Sequence, residues 1–318
     1  MSTGADVRVP HSFRMLTVRG IYLRLSLALT VLLVAALFRS GTPVLITAMA
    51  ALSGGILAEL VVGLTGDTSV RRSGIGNGRV LYYSLLITAV APLGISAPAA
   101  AGATAAAVLI GLWLPGGPGS YWLHPALVGV VLVPGLSVVS SGSVQAGSGI
   151  AAVVESSQAY RLLDQYIFDP LALSITPDWI AALSGFGGTD PAAATAGLVL
   201  PLLVAVMIIV GEDVVPAILP VTYIVAFALA ATLLGGEPLT AVSTGNVPVV
   251  AVIAVADPGV RPVYRGSIIV FATAAGVLTA VFTVFGGTDL PAVAGLLVAG
   301  AFRPLLDHSW NGRRRRWA

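Results

Sequence analysis

Cysteine and lysine are both absent from this 318-residue chain, and only 9% of its residues are charged. Without cysteine, the chain alone cannot build a thiolate-held iron–sulfur cluster, a disulfide or a cysteine–zinc site. Its three scattered histidines are too few to indicate haem ligation. Soluble domains carry roughly 25% charged residues, so this low charge, with 57% hydrophobic residues, indicates a membrane protein. The net charge of +2 gives no support to nucleic-acid binding.

Long apolar runs fill most of the chain. A membrane-spanning helix needs about 20 mostly apolar residues, and this template predicts about ten spans. They lie near residues 21–38, 43–64, 80–96, 97–114, 124–139, 192–210, 213–234, 241–256, 265–286 and 290–303. The predicted fold class is therefore an all-α, polytopic membrane protein.

The basic residues, all of them arginine, test the number of spans. With the amino terminus inside, ten spans leave fourteen of the sixteen arginines on the inner side and only Arg39 and Arg161 outside, as the positive-inside rule requires. Both ends are then cytoplasmic, with an N-terminal tail over residues 1–20 and a basic tail over 304–318. We expect the arginine run 313–316 to contact anionic lipids of the cell membrane or, alternatively, a cytoplasmic partner.

The longest connection between predicted spans covers residues 140–191 and lies on the extracytoplasmic side in this arrangement. Loops of this length in compact folds are usually functional or disordered. Aromatic residues such as Tyr160 and Trp179 favour an ordered loop at the membrane interface. The loop divides the spans into two groups of five, over residues 21–139 and 192–303.

The two groups share a pattern before their last helix. Residues 116–129 read GGPGSYWLHPALVG, and residues 286–295 read GGTDLPAVAG. Each has Gly-Gly, a short polar break and then Pro-Ala-x-x-Gly at the start of a span. Because the first break faces inside and the second outside, the pattern predicts two inverted five-helix repeats, with a binding site near the membrane midplane. Chance similarity in a sequence rich in glycine and proline is the alternative.

Three patches, in order along the chain, resemble a known family. The first patch is Gly116-Gly117 with His124-Pro125-Ala126-Leu127, and the second is GFGGTD at 185–190. The third begins with the turn from Asp257-Pro258 to Pro262 and continues with Arg265-Gly266, Phe285-Gly286-Gly287 and Pro304-Leu305-Leu306-Asp307. The chain resembles the family of RnfD, a membrane component of the Rnf electron-transport complex, and of its relative NqrB in the sodium-translocating NADH:quinone reductase. This resemblance implies an electron-carrying membrane protein that works with partner subunits.

The resemblance also implies bound flavin. Family members hold FMN esterified through its phosphate to a threonine of an external loop, in a pattern like Asp-x-x-Ser/Thr-x-Ala-Thr-Pro, and can bind riboflavin among the helices. The nearest match here runs from Asp169 to Pro177 and includes Ser174 and Thr176. It departs from the pattern by one extra residue and by Ile175 in place of alanine. A flavin transferase would attach FMN to Thr176; alternatively, the segment only forms a turn before the proline.

His124 and Asp257 are the candidate binding residues at the breaks between helices. His124 stands where the family has asparagine, just before Pro125, and its imidazole could donate to a flavin ring or accept a proton. The alternative is a helix cap at the inner surface. Asp257 could face a flavin or an ion at a broken helix end, or it could be a solvated carboxylate paired with Arg261 or Arg265.

Glu59 is a second candidate for the ion path, together with Asp257. It lies inside the second predicted span, where a charged side chain costs roughly 2.5–3.5 kcal/mol and is by default a functional candidate. The alternative is that Glu59 reaches the inner surface or pairs with Arg71. The sequence indicates no catalytic residue and no metal ligand.

These features together predict a flavin-carrying membrane subunit of an Rnf-like oxidoreductase, in which electron transfer is coupled to Na⁺ or H⁺ movement. The expected partners are other subunits of the complex, a flavin transferase and anionic lipids, with no nucleic acid. Two other functions stay open. One is a transporter or channel for a small solute on the same inverted fold, and the other is a scaffold subunit without flavin.

Overall fold

The computed structural model describes residues 17–65, 77–92, 95–117, 121–141, 199–211, 215–236, 247–285 and 290–315, and its regular elements there are helices. In chain order these are α1 (Val18–Ser40), α2 (Thr42–Thr65), α3 (Arg79–Val90), α4 (Ala97–Ala106, continued by a π-helix Ala107–Trp113), α5 (Pro125–Ser141), α6 (Val199–Gly211), α7 (Ile218–Leu233), α8 (Val247–Val249, continued by a π-helix Val250–Ala254), α9 (Arg265–Phe285), α10 (Pro291–Ala301) and α11 (Arg303–Arg315).

Each of the ten predicted segments contains a helix, which confirms the all-helical class for the described residues. Among the described residues, three helices are long and apolar enough to cross a membrane: Val18–Phe38, Thr42–Leu64 and Gly266–Phe285. Five shorter apolar helices accompany them: Arg79–Val90, Ala97–Trp113, Leu202–Gly211, Ile218–Leu233 and Pro291–Ala301. The chain is a membrane protein. Its ten crossings, the inversion of its halves, its cytoplasmic ends and its residence in the cell membrane stay predictions.

The third and fourth predicted spans run together in the sequence, and prolines separate them in the structure. Pro92 disfavours helical geometry at the residue before it, and Ala91 is extended, with φ −64° and ψ 150°. The next helix begins at a true cap, because the Ser96 side chain accepts from the Ala99 amide at 3.4 Å. Pro98 lies in its first turn, where a missing amide proton costs nothing.

The Pro-Ala-x-x-Gly pattern has the same structure in both groups of helices. Pro125 and Pro291 are the first residues of α5 and α10. Gly129 of α5 lies against α4, and Gly295 of α10 lies against α9, so closely that a Cβ on either glycine would overlap the neighbouring backbone. Small residues of this kind let membrane helices approach each other closely.

The Gly-Gly break is described in the first group only. Gly116 and Gly117 have φ of 113° and 87°, values that L side chains rarely adopt, so glycine is required where the chain leaves the π-helix after α4. The matching residues 286 and 287 lie outside the described residues. The structural match between the groups therefore rests on the part of the pattern from proline to glycine.

Helix contacts follow the same order in the two groups. In the first, α2 packs on α4 and α4 on α5; in the second, α7 packs on α9 and α9 on α10. The groups meet through α1 and α6, and α5 contacts α10. This arrangement brings the start of α3, the segment before α5 and the turn after α8 together in the interior.

Candidate functional site

His124 and Asp257, predicted separately from two distant parts of the chain, contact each other. His124 Nε2 lies 3.5 Å from Asp257 Oδ2, and neither side chain is exposed. The His124 carbonyl accepts from the Val128 amide at 3.1 Å. The residue therefore occupies the capping position of α5 by its backbone while its side chain points into the protein.

Asp257 begins the turn that follows α8. Its carbonyl accepts from the amides of Val260 and Arg261, at 3.0 and 3.1 Å, and its Oδ1 accepts from the Gly259 amide at 2.7 Å. Aspartate favours turns of this kind because its side chain binds the backbone two residues on. Asp257 is 0% exposed, so the alternative of a solvated carboxylate is wrong.

Four tyrosines, each at most 2% exposed, surround this pair. Tyr22 of α1 and Tyr121 before α5 donate to Asp257 Oδ1 over 3.1 and 3.3 Å. Their own hydroxyl oxygens lie 3.0 Å apart, and Tyr83 of α3 donates to Tyr121 over 3.3 Å. We refer to six residues together as the polar cluster: Tyr22, Tyr82, Tyr83, Tyr121, His124 and Asp257.

Tyr82 joins His124 to the π-helix of α8. Its hydroxyl donates to the Ile253 carbonyl at 3.1 Å and lies 3.3 Å from His124 Nε2. The rings of Tyr82 and Tyr83 also pack beside the imidazole, each with its centre 6.0 Å from the histidine ring centre. The histidine is thus enclosed by aromatic rings and can exchange hydrogen bonds through Nε2.

Two polar atoms of the polar cluster are buried without a hydrogen-bond partner: His124 Nδ1 and Asp257 Oδ2. Buried polar side-chain atoms usually have a partner, and each exception calls for a physical explanation. The Nε2–Oδ2 gap of 3.5 Å is longer than a normal hydrogen bond between these groups. The pair is therefore in contact without being satisfied.

Positive charge lies at the edges of the polar cluster. The Arg79 guanidinium at the start of α3 is 5.2 Å from the centre of the Tyr22 ring, within the range of a cation–π interaction.

Burial, and then the Asp257 carboxylate, raise the pKa of Tyr121, which lies in the connecting segment before α5. Its phenol therefore stays protonated and remains a donor to the carboxylate.

Arg303 and Asp307, at the start of α11, hold the two backbone segments of the site together. Arg303 donates to the carbonyls of Gly259 and Tyr121 and lies 3.6 Å from Asp307 in an ion pair. Asp307 in turn accepts from the Val263 amide at 3.1 Å. These contacts tie the turn after α8 to the segment before α5, which positions Asp257 opposite His124.

Glu59 lies in a different place from the polar cluster. It is 6% exposed in α2 and accepts from the Trp113 indole at 3.4 Å, beside a small apolar cluster built by Ala58, Val80 and Val108. The carboxylate is therefore enclosed by protein, and its position relative to the inner surface stays a prediction. Arg71, its other suggested partner, lies outside the described residues. The structure therefore does not bring Glu59 into contact with Asp257.

The predicted flavin attachment segment lies outside the described residues, with Asp169, Ser174 and Thr176 in it. Sequence reasoning missed the four tyrosines and Arg303. A signal for two of them was present, because Tyr82 and Tyr83 are adjacent hydroxyl-bearing residues at the start of an apolar span, and a buried tyrosine hydroxyl usually needs a partner. Within the described part of the chain, no three His, Asp or Glu side chains are grouped so that they could hold a metal ion.

The chain belongs to the NQR2, RnfD, RnfE family, whose family model matches residues 7–315. No curated protein sequence matches the chain. Membership confirms the resemblance predicted from the three patches. It supports a role in the Rnf and NQR class of membrane complexes, and hence a place in a multi-subunit assembly.

Proposed function

We propose that this family member is the flavin-carrying membrane subunit of an Rnf-like ion-translocating oxidoreductase. It passes electrons across or along the membrane, and this transfer is coupled to movement of Na⁺ or H⁺. The contact between His124 and Asp257 carries the proposal. Ionisable groups inside membrane proteins are costly and mark ion or proton pathways by default, and this pair lies where two distant parts of the chain meet.

FMN on Thr176 is the electron carrier in this proposal. The support is family membership and the Asp169–Pro177 segment of the external loop, with Ser174 beside the attachment residue. Flavin supplies the redox chemistry when it is bound, and the protein supplies its placement and electrostatic surroundings. A flavin transferase and the other subunits of the complex are the partners that this chemistry requires.

Riboflavin is the second carrier that the family resemblance suggests. In the described structure, the groups near His124 and Asp257 are protein hydroxyls, a backbone amide and aromatic rings. We therefore assign these two residues to the ion path and leave riboflavin without a place among the described residues.

The ion path has two buried carboxylates in this proposal. Asp257 lies in the polar cluster, and Glu59 lies beside Trp113. Arg79 interacts electrostatically with Glu59 and packs over the Tyr22 ring, so one cation adjoins both sites.

In-gel flavin fluorescence tests the flavin part. The denatured chain, co-expressed with a flavin transferase, should fluoresce, and Thr176→Ala should abolish the signal. Ser184→Ala, which removes a hydroxyl of the same predicted loop outside the Asp169–Pro177 segment, is the control and should keep it. A chain that never fluoresces would show that the covalent flavin attachment is wrong and would favour the flavin-free scaffold or the transporter. Fluorescence retained in Thr176→Ala would move the attachment site to another residue.

Redox activity in vesicles that contain the whole complex tests the ion part. Glu59→Gln and Asp257→Asn should keep electron transfer while ion movement per electron falls. Tyr223→Phe, which changes a buried hydroxyl outside the polar cluster, is the control and should leave the ratio unchanged. Unchanged coupling in both carboxylate variants would remove these residues from the path.

A further inference from the structure

We infer that His124 and Asp257 form a proton-carrying pair, so that the ion moved at this site is H⁺ rather than Na⁺. This inference rests on the proposed function, because it names the ion of the coupled step. It concerns the two residues as a unit, and the evidence for it is the arrangement of donors and acceptors around them.

One oxygen of Asp257 is saturated and the other is not. Oδ1 accepts from Gly259, Tyr22 and Tyr121, so its lone pairs, about two per carboxylate oxygen, are fully used. Oδ2 accepts from none of the described groups, and its polar neighbour is the Nε2 atom of His124 at 3.5 Å. A proton on either atom would turn this contact into a hydrogen bond. The geometry therefore leaves a place for one proton between two buried groups.

The proton transfer that fits this geometry is simple to balance. The Oδ2–H bond of a protonated Asp257 breaks, and an Nε2–H bond forms on a neutral His124. The products are a carboxylate and an imidazolium, and no electron changes place. Three donors on Oδ1 stabilise the carboxylate that results, because hydrogen bonds to a charged group are stronger than neutral ones.

The Tyr82 hydroxyl determines which nitrogen of the neutral His124 imidazole carries the proton. Its hydroxyl has one proton and two neighbours, the Ile253 carbonyl at 3.1 Å and His124 Nε2 at 3.3 Å. When the hydroxyl donates to Ile253, Nε2 can carry the imidazole proton; when it donates to Nε2, that proton must be on Nδ1. Rotation of one hydroxyl thus selects which ring nitrogen is protonated, which is what a relay through histidine needs.

Sodium fits these surroundings poorly. Hard cations take several oxygen ligands, from carboxylates, carbonyls and water. The unsaturated Oδ2 faces a ring nitrogen instead, the hydroxyls of Tyr22 and Tyr121 direct their protons at Asp257, and the Ile253 carbonyl accepts from Tyr82. The described groups around the carboxylate are proton donors and not cation ligands.

The remaining titratable and charged groups near the pair do not compete for this proton near neutral pH. They are Tyr22 of α1; Arg79, Tyr82 and Tyr83 of α3; Tyr121 of the segment before α5; Arg261 of the turn; and Arg303 of α11. Phenols and guanidinium groups ordinarily titrate at about pH 10 or above. These described neighbours therefore offer no competing site for a proton between Asp257 Oδ2 and His124 Nε2.

Infrared pH titration of the purified full-length chain tests the pair without any redox activity. The wild-type chain should show a protonated-carboxyl band that titrates, disappears in Asp257→Asn and shifts in His124→Asn. The band should be the same in sodium and in potassium buffer. A band that is unaffected by both substitutions, or one that sodium abolishes, would overturn the inference. Because His124→Asn leaves the carboxylate in place, it keeps the test decisive if Asp257→Asn does not fold.

Vesicles that contain the whole complex test the moved ion. With dithionite-reduced viologen as electron donor and NAD⁺ or a quinone as electron acceptor in sodium-free buffer, turnover should acidify the lumen of inside-out vesicles. His124→Asn should slow this acidification on the order of 10²-fold or more. His308→Asn, at an exposed histidine of α11, is the matched control and should have no effect. In a parallel assay in sodium buffer, uptake of radioactive sodium without acidification would refute the proton assignment. Loss of redox turnover or flavin in the wild type would instead refute the proposed function, and the infrared result would still decide on the pair.

Discussion

The starts of α5 and α10 are built alike but do different work. His124 and Leu290 stand in the same place before the first proline, and each carbonyl accepts from the amide four residues on at 3.1 Å. Yet the His124 side chain enters the polar cluster, whereas Leu290 packs against the apolar core. The repeated pattern therefore builds a scaffold in both groups and contributes a site residue in one. Symmetry of the backbone does not require symmetry of function.

A second difference separates structural from functional polar groups. In the second group, Tyr223 of α7 and Thr279 of α9 have hydroxyl oxygens 2.6 Å apart, and Thr279 donates to the Ala275 carbonyl at 2.8 Å. The single Thr279 proton is thus used, so Tyr223 is the donor between them and both hydroxyl protons are satisfied. The His124–Asp257 pair keeps two unpartnered atoms. The Tyr223–Thr279 contact therefore needs no further partner, whereas the His124–Asp257 pair calls for a physical explanation.

The largest effect should come from breaking the scaffold that the two groups share. Gly129→Val and Gly295→Val place branched side chains where even a Cβ overlaps the neighbouring backbone, and overpacking costs typically about 1–3 kcal/mol, occasionally more. Both variants should lose most monodisperse protein in detergent, measured by fluorescence-detected size-exclusion chromatography. Gly211→Val meets no atom within 4 Å at its Cβ and should behave like wild type. A large loss in one variant only would show that the two helix starts are not equivalent.

The next effect should come from Gly259, which belongs to the site and not to the repeat. A Cβ there would overlap the Tyr121 hydroxyl, so Gly259→Ala should displace Tyr121 and remove one donor from Asp257. Hydrogen bonds to charged groups contribute about 1.5–3 kcal/mol. In vesicles that contain the whole complex, the number of ions moved per electron should fall by a larger fraction than the thermal unfolding temperature measured in detergent.

Tyr121→Ala provides the cross-check for the Gly259 prediction, because it removes the overlapping side chain. The double variant Gly259→Ala with Tyr121→Ala should lose less stability than the sum of the two single variants, as expected for residues in contact. Strictly additive losses would show that the overlap with Tyr121 is not what Gly259→Ala disturbs.

Much of the scaffold was predictable from the sequence, and most of the site was not. The apolar runs predict the helices because a membrane span must satisfy its backbone hydrogen bonds internally. They do not predict the π-helices after Ala106 and Val249, because a uniformly apolar sequence has no polar positions from which to read the helical period. The boundary at Pro92 was ambiguous for the same reason, although its backbone cause is local.

The site residues differ in how they could be found. His124 and Asp257 carry local signals, a histidine before a proline and an aspartate in a turn with two prolines. Their contact depends on how distant segments pack, which no local pattern contains. The same holds for Tyr22, which comes from α1 and donates to Asp257 across 235 positions of sequence. Tyr22, Tyr82 and Tyr83 were missed because aromatic residues in apolar spans are ordinarily core residues.

A matched pair of tyrosine substitutions should separate the two kinds of buried hydroxyl. Tyr22→Phe removes a donor to Asp257, and Tyr223→Phe removes a donor to Thr279. A hydrogen bond to a charged group contributes about 1.5–3 kcal/mol and a neutral one about 1 kcal/mol, so both variants should lower thermal stability, Tyr22→Phe by the larger amount. Only Tyr22→Phe should also change the pH dependence of coupled turnover in vesicles. An equal change of pH profile in both variants would remove the distinction between adhesive and functional hydroxyls.

The smallest effect should come from Asp307→Asn, at the contact that ties the two segments of the site together. The Asp307 and Arg303 side chains are 25% and 17% exposed, and ion pairs with such access to water contribute about 0–1 kcal/mol. Asparagine can still accept from the Val263 amide through its side-chain oxygen, while Arg303 keeps its bonds to the carbonyls of Gly259 and Tyr121. Thermal stability and coupling should therefore stay close to wild type, in contrast to Arg303→Ala, which removes the carbonyl contacts. Asp307→Asn could instead uncouple turnover as strongly as Arg303→Ala. That result would show that the charge of Asp307 positions the arginine. The site would then depend on a partly exposed ion pair as well as on the backbone contacts of Arg303.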